Sequence, residues 1–232
     1  MKRFYKIAGL TVAMDTFGRT ESQAEPYLFS EASDSDVNVE RYTEEFRAKY
    51  SEVSEDECEY MYSGMSFYKQ LITFGGIMLH SSAVVVDGRA YLFTAPSGTG
   101  KSTHTDLYLK SFGDRAFILN DDKPAIRFED GAFFAYGTPW SGKNDKSVNV
   151  RAPLLGICIL ERGEKNEIFR VGKKEALIGI YSQTLRPQSK RYADMALSVI
   201  GRLVDSVPVW RLRCNKEDDA AFVSYSAMSG AL

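Results

Sequence analysis

The sequence predicts an α/β fold: a mixed β-sheet core built around a phosphate-binding loop (P-loop), preceded by a small β-rich N-terminal layer. Three observations predict it. Ala95–Ser102 reads A-P-S-G-T-G-K-S and stands between an apolar run, Ala90–Thr94, and a helix-compatible stretch, Ser102–Phe112. Asp87-Gly88 and Glu129-Asp130-Gly131 each divide two β-like runs in the way a tight hairpin does. Two helical patterns, Lys174–Thr184 and Ser189–Val204, follow the strand-like run Leu154–Leu160.

Taken in order, residues 1–60 hold short β-like pieces, Arg3–Met14 and Asp36–Tyr42, separated by turn-rich or acidic stretches at Glu31–Asp36 and Ser51–Glu59. They are read as the N-terminal layer, and 61–232 as the P-loop core. Ser63–Leu79 carries Met65, Tyr68, Leu71 and Ile72 near helical spacing and stops at Gly75-Gly76. Ser82–Val86 is a β-branched run whose return strand, Ala90–Thr94, leads into the P-loop. Ala116–Asn120 is a short strand ending in Asp121-Asp122; Pro124–Phe128 and Ala132–Tyr136 form the second hairpin. A polar loop, Gly137–Asn149, precedes Leu154–Leu160, to which Ile168–Val171 is expected to pair. Val209–Leu212 reads as a strand, and Asn215 is placed to cap a last helix opening with Glu217, Asp218 and Asp219.

Composition narrows the function. The formal net charge is −2 with acids and bases interspersed, and there is no basic stripe with interleaved aromatics, which argues against nucleic acid as a partner. Cys58, Cys158 and Cys214 are far apart without a C-x-x-C pair, as expected of free thiols in a reducing cytosol. The N-terminal apolar run is too short for a signal peptide, and no stretch approaches the roughly 20 apolar residues of a membrane span. A cytoplasmic protein that does not engage membranes is expected.

The P-loop carries the chemistry. A glycine-rich turn between strand and helix aims backbone N–H groups and the positive helix end at one point, which suits a phosphate. Ser97, Gly98, Thr99 and Gly100 form the cradle, Lys101 reaches the β- and γ-phosphates, and the Ser102 hydroxyl suits Mg²⁺. Ala95 stands where the motif usually has its first glycine. A two-residue turn at Asp87-Gly88 sets opposed residues to a constant sum, so His80 falls opposite Ala95. The strand ending at Asn120, expected to be a parallel crossover neighbour, brings Asp121-Asp122 to the same sheet edge, where ligands of such sheets bind. One carboxylate there suits the Mg²⁺ shell and the other the proton of an attacking hydroxyl. His104, one turn into the helix, is read as structural.

The run Leu79-His80-Ser81-Ser82-Ala83, then Leu92–Ser102, then Asn120-Asp121-Asp122, resembles the HPr kinase/phosphorylase and phosphoenolpyruvate carboxykinase superfamily over about residues 79–160. Val207–Leu212 resembles the less characterised relatives of HPr kinase, some of which accompany peptide-modifying gene clusters. The resemblance implies a P-loop core of that type and transfer of the ATP γ-phosphoryl group to a hydroxyl. Lys101 and Ser102 would bind phosphate and Mg²⁺, Asp121 and Asp122 would supply the general base and a metal ligand in either order, Asp122 being a candidate for both roles and for the metal alongside Ser102, and His80 would assist at the γ-phosphate. The R-G-L-G stretch of HPr kinase is absent; Gly137–Lys143 stands in its place, which argues against HPr as the substrate. Lys143, and less so Arg151, are candidates for neutralising the transferred charge. The acceptor is then a hydroxyl-bearing peptide, protein or small molecule, and a homo-oligomer is compatible with the ring assemblies of HPr kinases. The alternatives are a nucleotide-dependent ATPase or switch without acceptor, and an inactive nucleotide-binding module.

Overall fold

The structure, a computed structural model, describes residues 2–230. Strands β1 (Arg3–Ile7) and β2 (Leu10–Met14) form a hairpin about Ala8-Gly9; after helix α1 (Gly18–Ala24), strand β3 (Val37–Val39) joins β2 in parallel. Helices α2 (Glu44–Lys49) and α3 (Glu55–Leu71) follow, so the N-terminal layer is a three-stranded sheet with helices rather than strands alone. α3 starts at Glu55, inside the stretch read as turn-rich. Ser54 Oγ accepts from Glu57 N at 3.1 Å and three acids fill the first turn, both of which favour a helix start.

The core then runs β4 (Gly76–Met78), β5 (Ser81–Val86), β6 (Arg89–Thr94), α4 (Lys101–Phe112), β7 (Ala116–Asn120), β8 (Ala125–Glu129), β9 (Ala132–Tyr136), β10 (Arg151–Arg162), β11 (Glu167–Arg170), α5 (Lys173–Ser182), α6 (Lys190–Ser206), β12 (Val209–Cys214) and α7 (Asp219–Ser229). One mixed sheet holds these strands in the order β4-β8-β9-β10-β6-β5-β7, with β12 on β10 and β11 on β12. The first hairpin has the expected register, Ser81↔Thr94 to Val86↔Arg89; the second closes more tightly than expected, about Asp130-Gly131, with Ala125↔Tyr136 to Glu129↔Ala132, so Glu129 ends its strand instead of opening the turn.

Two pairings differ from expectation. β7 is not the neighbour of β6: β5 lies between them, antiparallel to both, because the hairpin partner already occupies that edge of β6. β6 and β7 still run in one direction, so their carboxyl ends share an edge. β11 pairs with β12, not β10, because β12 lies parallel along Ile157–Arg162 and takes the edge that β11 would have used. Asn215 does not cap the last helix. Its Oδ1 accepts from Glu217 N at 3.0 Å in a turn, and α7 starts after Asp218 without a side-chain cap.

Alternation along the central strands divides the interior. Ala83, Val85, Ala90 and Leu92 face a core closed by Ile180 of α5 and by Ile200 and Leu203 of α6. Val84, Val86, Tyr91 and Phe93 face a core closed by Tyr108 and Phe112 of α4 and by Ala221 and Met228 of α7. Burial on both faces explains the unbroken β-branched run in the sequence. A third cluster joins the N-terminal sheet to α3 and to Tyr136 and Trp140 of the core. Cys58 and Cys158 are buried and Cys214 is partly buried, all as free thiols. No helix among the described residues is long and apolar enough to cross a membrane.

Candidate active site

The P-loop leaves β6 at Ala95 and enters α4 at Lys101. Gly98 and Gly100 adopt φ +78° and +118°, whereas Ala95 needs no left-handed backbone, so alanine costs nothing at the position where the motif usually has glycine. The Thr99 hydroxyl folds back to the Pro96 carbonyl at 2.9 Å, and Arg162 at the end of β10 donates to the Gly98 carbonyl at 2.7 Å, pinning the loop from outside. Lys101 is buried, with Nζ 3.0 Å from the Ala95 carbonyl. Burial pushes its ammonium down, and the charges of Asp122 and Asp121 oppose this.

The acidic pair is presented by Asn120, the last residue of β7. Its Oδ1 accepts from the backbone N–H of Asp122 at 3.0 Å and of Lys123 at 2.7 Å, while its Nδ2 bonds the Thr138 carbonyl at 2.9 Å. The turn after β7 is therefore fixed from within. Asp121 is buried; it accepts from Ser82 Oγ at 2.6 Å, and Asn144 Nδ2 lies 3.4 Å from its other oxygen. Ser82 Oγ also meets Thr105 Oγ1 at 2.7 Å, and Thr105 Oγ1 bonds the Ser102 carbonyl at 3.1 Å. Asp121 is thus tied to the first turn of α4.

Asp122 has a different environment. His80 Nε2 lies 3.3 Å from Oδ1 and Lys123 Nζ 2.5 Å from Oδ2. His80 is steadied by the segment after α5: its N–H donates to the Gln183 carbonyl at 2.8 Å and its Nδ1 faces Gln183 Oε1 at 3.2 Å. Burial acts to raise the Asp122 carboxyl, but the His80 hydrogen bond and the Lys123 ammonium overcome it and hold the group at about 2. Asp122 is a carboxylate at neutral pH.

These groups line one cavity of about 490 Å³: Ser97, Gly98, Gly100, Lys101 and Ser102 on the loop side, with His80, Asp121, Asp122 and Lys143 around the rest. Thr99 lines a neighbouring cavity of about 700 Å³ instead. Arg151 lies outside: it pairs with Glu129 at 2.7 Å and stacks 4.5 Å from the Phe134 ring centroid, at the start of β10, the sheet end opposite the loop. His104 is buried between Phe93 and Tyr108, with Nε2 3.0 Å from Ser224 Oγ.

The cavity also contains residues that the sequence reading missed: Arg19, Glu57, Tyr60, Lys123 and Asn144. Glu57 and Tyr60 were legible in one respect, since S-x-x-E at Ser54–Glu57 is a capping box that would have started α3 early enough to include them. Arg19 has no such signal; it reaches the cavity only through the packing of α1 on α3.

Ser102, Asp121 and Asp122 line the cavity with oxygen donors only. No group of three or more His, Cys, Asp or Glu among the described residues forms a metal cage. That combination fits Mg²⁺, which keeps one or two protein carboxylates and takes further ligands from phosphates and water.

Among solved structures, the chain is similar to the HPr(Ser) kinase/phosphatase from Coxiella burnetii, with 12% identity over 66% of this chain and 95% of that one and a TM-score of 0.40. No curated protein matches. A family model, described as SynChlorMet cassette protein ScmC, matches residues 54–218, the greater part of the chain and all of the P-loop, acidic-pair and Lys143 segments. The chain belongs to the ScmC family.

Proposed function

We propose that this protein is a kinase that transfers the γ-phosphoryl group of ATP to an alcohol. One observation carries the reading: the P-loop lysine and serine and the Asp121-Asp122 pair, from opposite ends of a crossover, line one cavity, and the carboxylate nearest His80 is held ionised. The resemblance of the His80, P-loop and Asp-Asp segments to HPr kinases supports the same chemistry.

The phosphates lie along Ser97–Ser102, receiving the loop N–H groups and Lys101. The second cavity borders the same loop at Gly98, Thr99 and Gly100 and is partly walled by Leu107 and Leu160; it has room for a nucleoside, which supports ATP over pyrophosphate as donor. Ser102 and one aspartate would hold Mg²⁺, which when bound neutralises charge on the phosphate oxygens. The other aspartate takes the proton of the acceptor hydroxyl as the phosphoryl group moves in line. His80 orients Asp122, and Lys143, a cation of the cavity with no partner among the described residues, is placed to meet the transferred group. Little covalent work is asked of the protein; positioning and electrostatics supply the acceleration. The acceptor is a hydroxyl-bearing peptide, protein or small molecule.

The test supplies γ-labelled ATP and Mg²⁺ with panels of serine- and threonine-containing peptides and small polyols. Label appearing in an acceptor supports the reading. Label appearing only in inorganic phosphate, with every acceptor, replaces it with an ATPase or switch.

A further inference from the structure

Gly142 is gripped on both of its peptide groups by the N-terminal part of the chain. Its N–H donates to Tyr60 Oη at 3.0 Å. Its carbonyl accepts from Arg19 Nη2, and from Gln23 Nε2 at 3.4 Å. The Arg19 guanidinium lies 3.9 Å from the Tyr60 ring centroid and pairs with Glu57 at 3.3 Å, while its backbone N–H donates to Asp56 Oδ1 at 2.6 Å. Helix α1 is thereby locked to α3 at the residue that holds the loop.

What the grip controls lies next in the chain. Gly142 has φ +78°, and a Cβ there would fall 2.9 Å from that of Asp122, so the loop backbone rests directly on the acidic pair. Lys143 and Asn144 follow into the cavity, and Asn144 reaches Asp121. Arg19 lies outside the segment that the family model matches.

We infer that Arg19 is a positioning residue: through the Gly142 carbonyl it holds the Ser141–Asn144 turn against Asp121 and Asp122, and so sets where Lys143 and Asn144 meet the transferred phosphoryl group. The inference rests on the kinase reading for its catalytic consequence, but the mechanical part stands apart from it. Arginine suits the task because its planar fork serves the Glu57 carboxylate and the Gly142 carbonyl at once while its face lies on Tyr60. A lysine there keeps the charge but has no fork.

The experiment uses the full chain with Arg19→Ala and Arg19→Lys. Hydrogen exchange of the amides of residues 141–146, read by mass spectrometry, should speed up at least about tenfold in both variants. With a labelled-ATP assay, kcat should fall about 10- to 100-fold with KM for ATP changed less than about threefold, as expected when a nearby group is misplaced by about an ångström. In a Lys143→Ala background the further effect of Arg19→Ala should shrink to within about twofold, since both act through one turn. If Arg19→Ala does not fold, Arg19→Lys, which retains the cation beside Glu57 and Tyr60, carries the test. Unchanged exchange overturns the inference, and so does faster exchange with unchanged kcat or full additivity with Lys143→Ala. If the unsubstituted protein transfers no phosphoryl group at all, the kinase reading and the catalytic consequence fall together, and the exchange measurement still decides the clamp.

Discussion

Glu59 should make this protein less stable as the pH rises, and Glu59→Gln should remove the effect. The side chain sits on α3 facing α1, only 3% exposed, and Oε2 has no hydrogen-bond partner among the described residues. Burial pushes the carboxyl from its ordinary 4.5 up to about 7; Asp56 adds to this, and the nearby Thr20 and Arg41 offset part of it. The sign follows from linkage. The folded state binds the proton more tightly than the unfolded chain, so stability is greatest below 4.5 and is lost as the pH rises through about 7. The gap between the folded and unfolded carboxyl corresponds to about 3 kcal/mol above neutrality.

Glutamine keeps the shape without the charge. Glu59→Gln should therefore be more stable by up to about 3 kcal/mol at about pH 8, and nearly neutral at about pH 4.5. For a chain of this size that is a rise in Tm of roughly 6 to 12 °C at the higher pH. Thermal melts of both proteins across this range are the assay, and the difference between them is the quantity to read. Buried His104, pushed down to about 4 by burial, imposes the opposite slope on both proteins and cancels. Equal or lower stability of Glu59→Gln at about pH 8 would refute the assignment of a carboxyl whose burial outweighs its partners.

Asp122→Asn should keep ATP affinity within a few-fold and lower phosphoryl transfer by about 10²- to 10⁴-fold, read by nucleotide titration alongside turnover. Lys101→Met should abolish measurable ATP binding in the same titration, since it removes the cation that reaches the phosphates. Arg151→Ala should leave turnover unchanged, because the side chain faces Glu129 and Phe134 rather than the cavity. The low Asp122 value means that its contribution to stability is present above the ordinary 3.8 and is lost as the pH falls towards about 2, so an Asp122→Asn melt should differ most from the parent above about pH 4 and converge with it below.

Much of the core was legible because its signals are local. Asp87-Gly88 fixes a register by turn geometry alone, and that register carries His80 to the loop. The loop, Lys101, Ser102 and the aspartates follow from one motif and a strand direction, and the direction survives even though β5 intervenes between β6 and β7. What was not legible depends on competition among edges and on packing at a distance. β11 chose β12 because β10 was already taken, which no property of Ile168–Arg170 reveals. Arg19 enters the site by virtue of Asp56 and Tyr60, more than 35 residues away, rather than through any pattern around it. Glu57 and Tyr60 were lost to a helix start placed at Ser63 when the Ser54 cap lay nine residues earlier.

Trp140 stacks on Phe67 at 5.0 Å, donates to Ser63 Oγ at 3.1 Å, and shares its cluster with Tyr5, Val12 and Met14 of the first hairpin. The match to the family model begins at residue 54, whereas the apolar interior draws on residues before it. A polypeptide trimmed to that boundary would turn the indole and Tyr136 towards water and strip the cover from the residue that precedes the Ser141–Asn144 turn. The first 53 residues are thus a share of the foundation on which the turn beside the acidic pair rests.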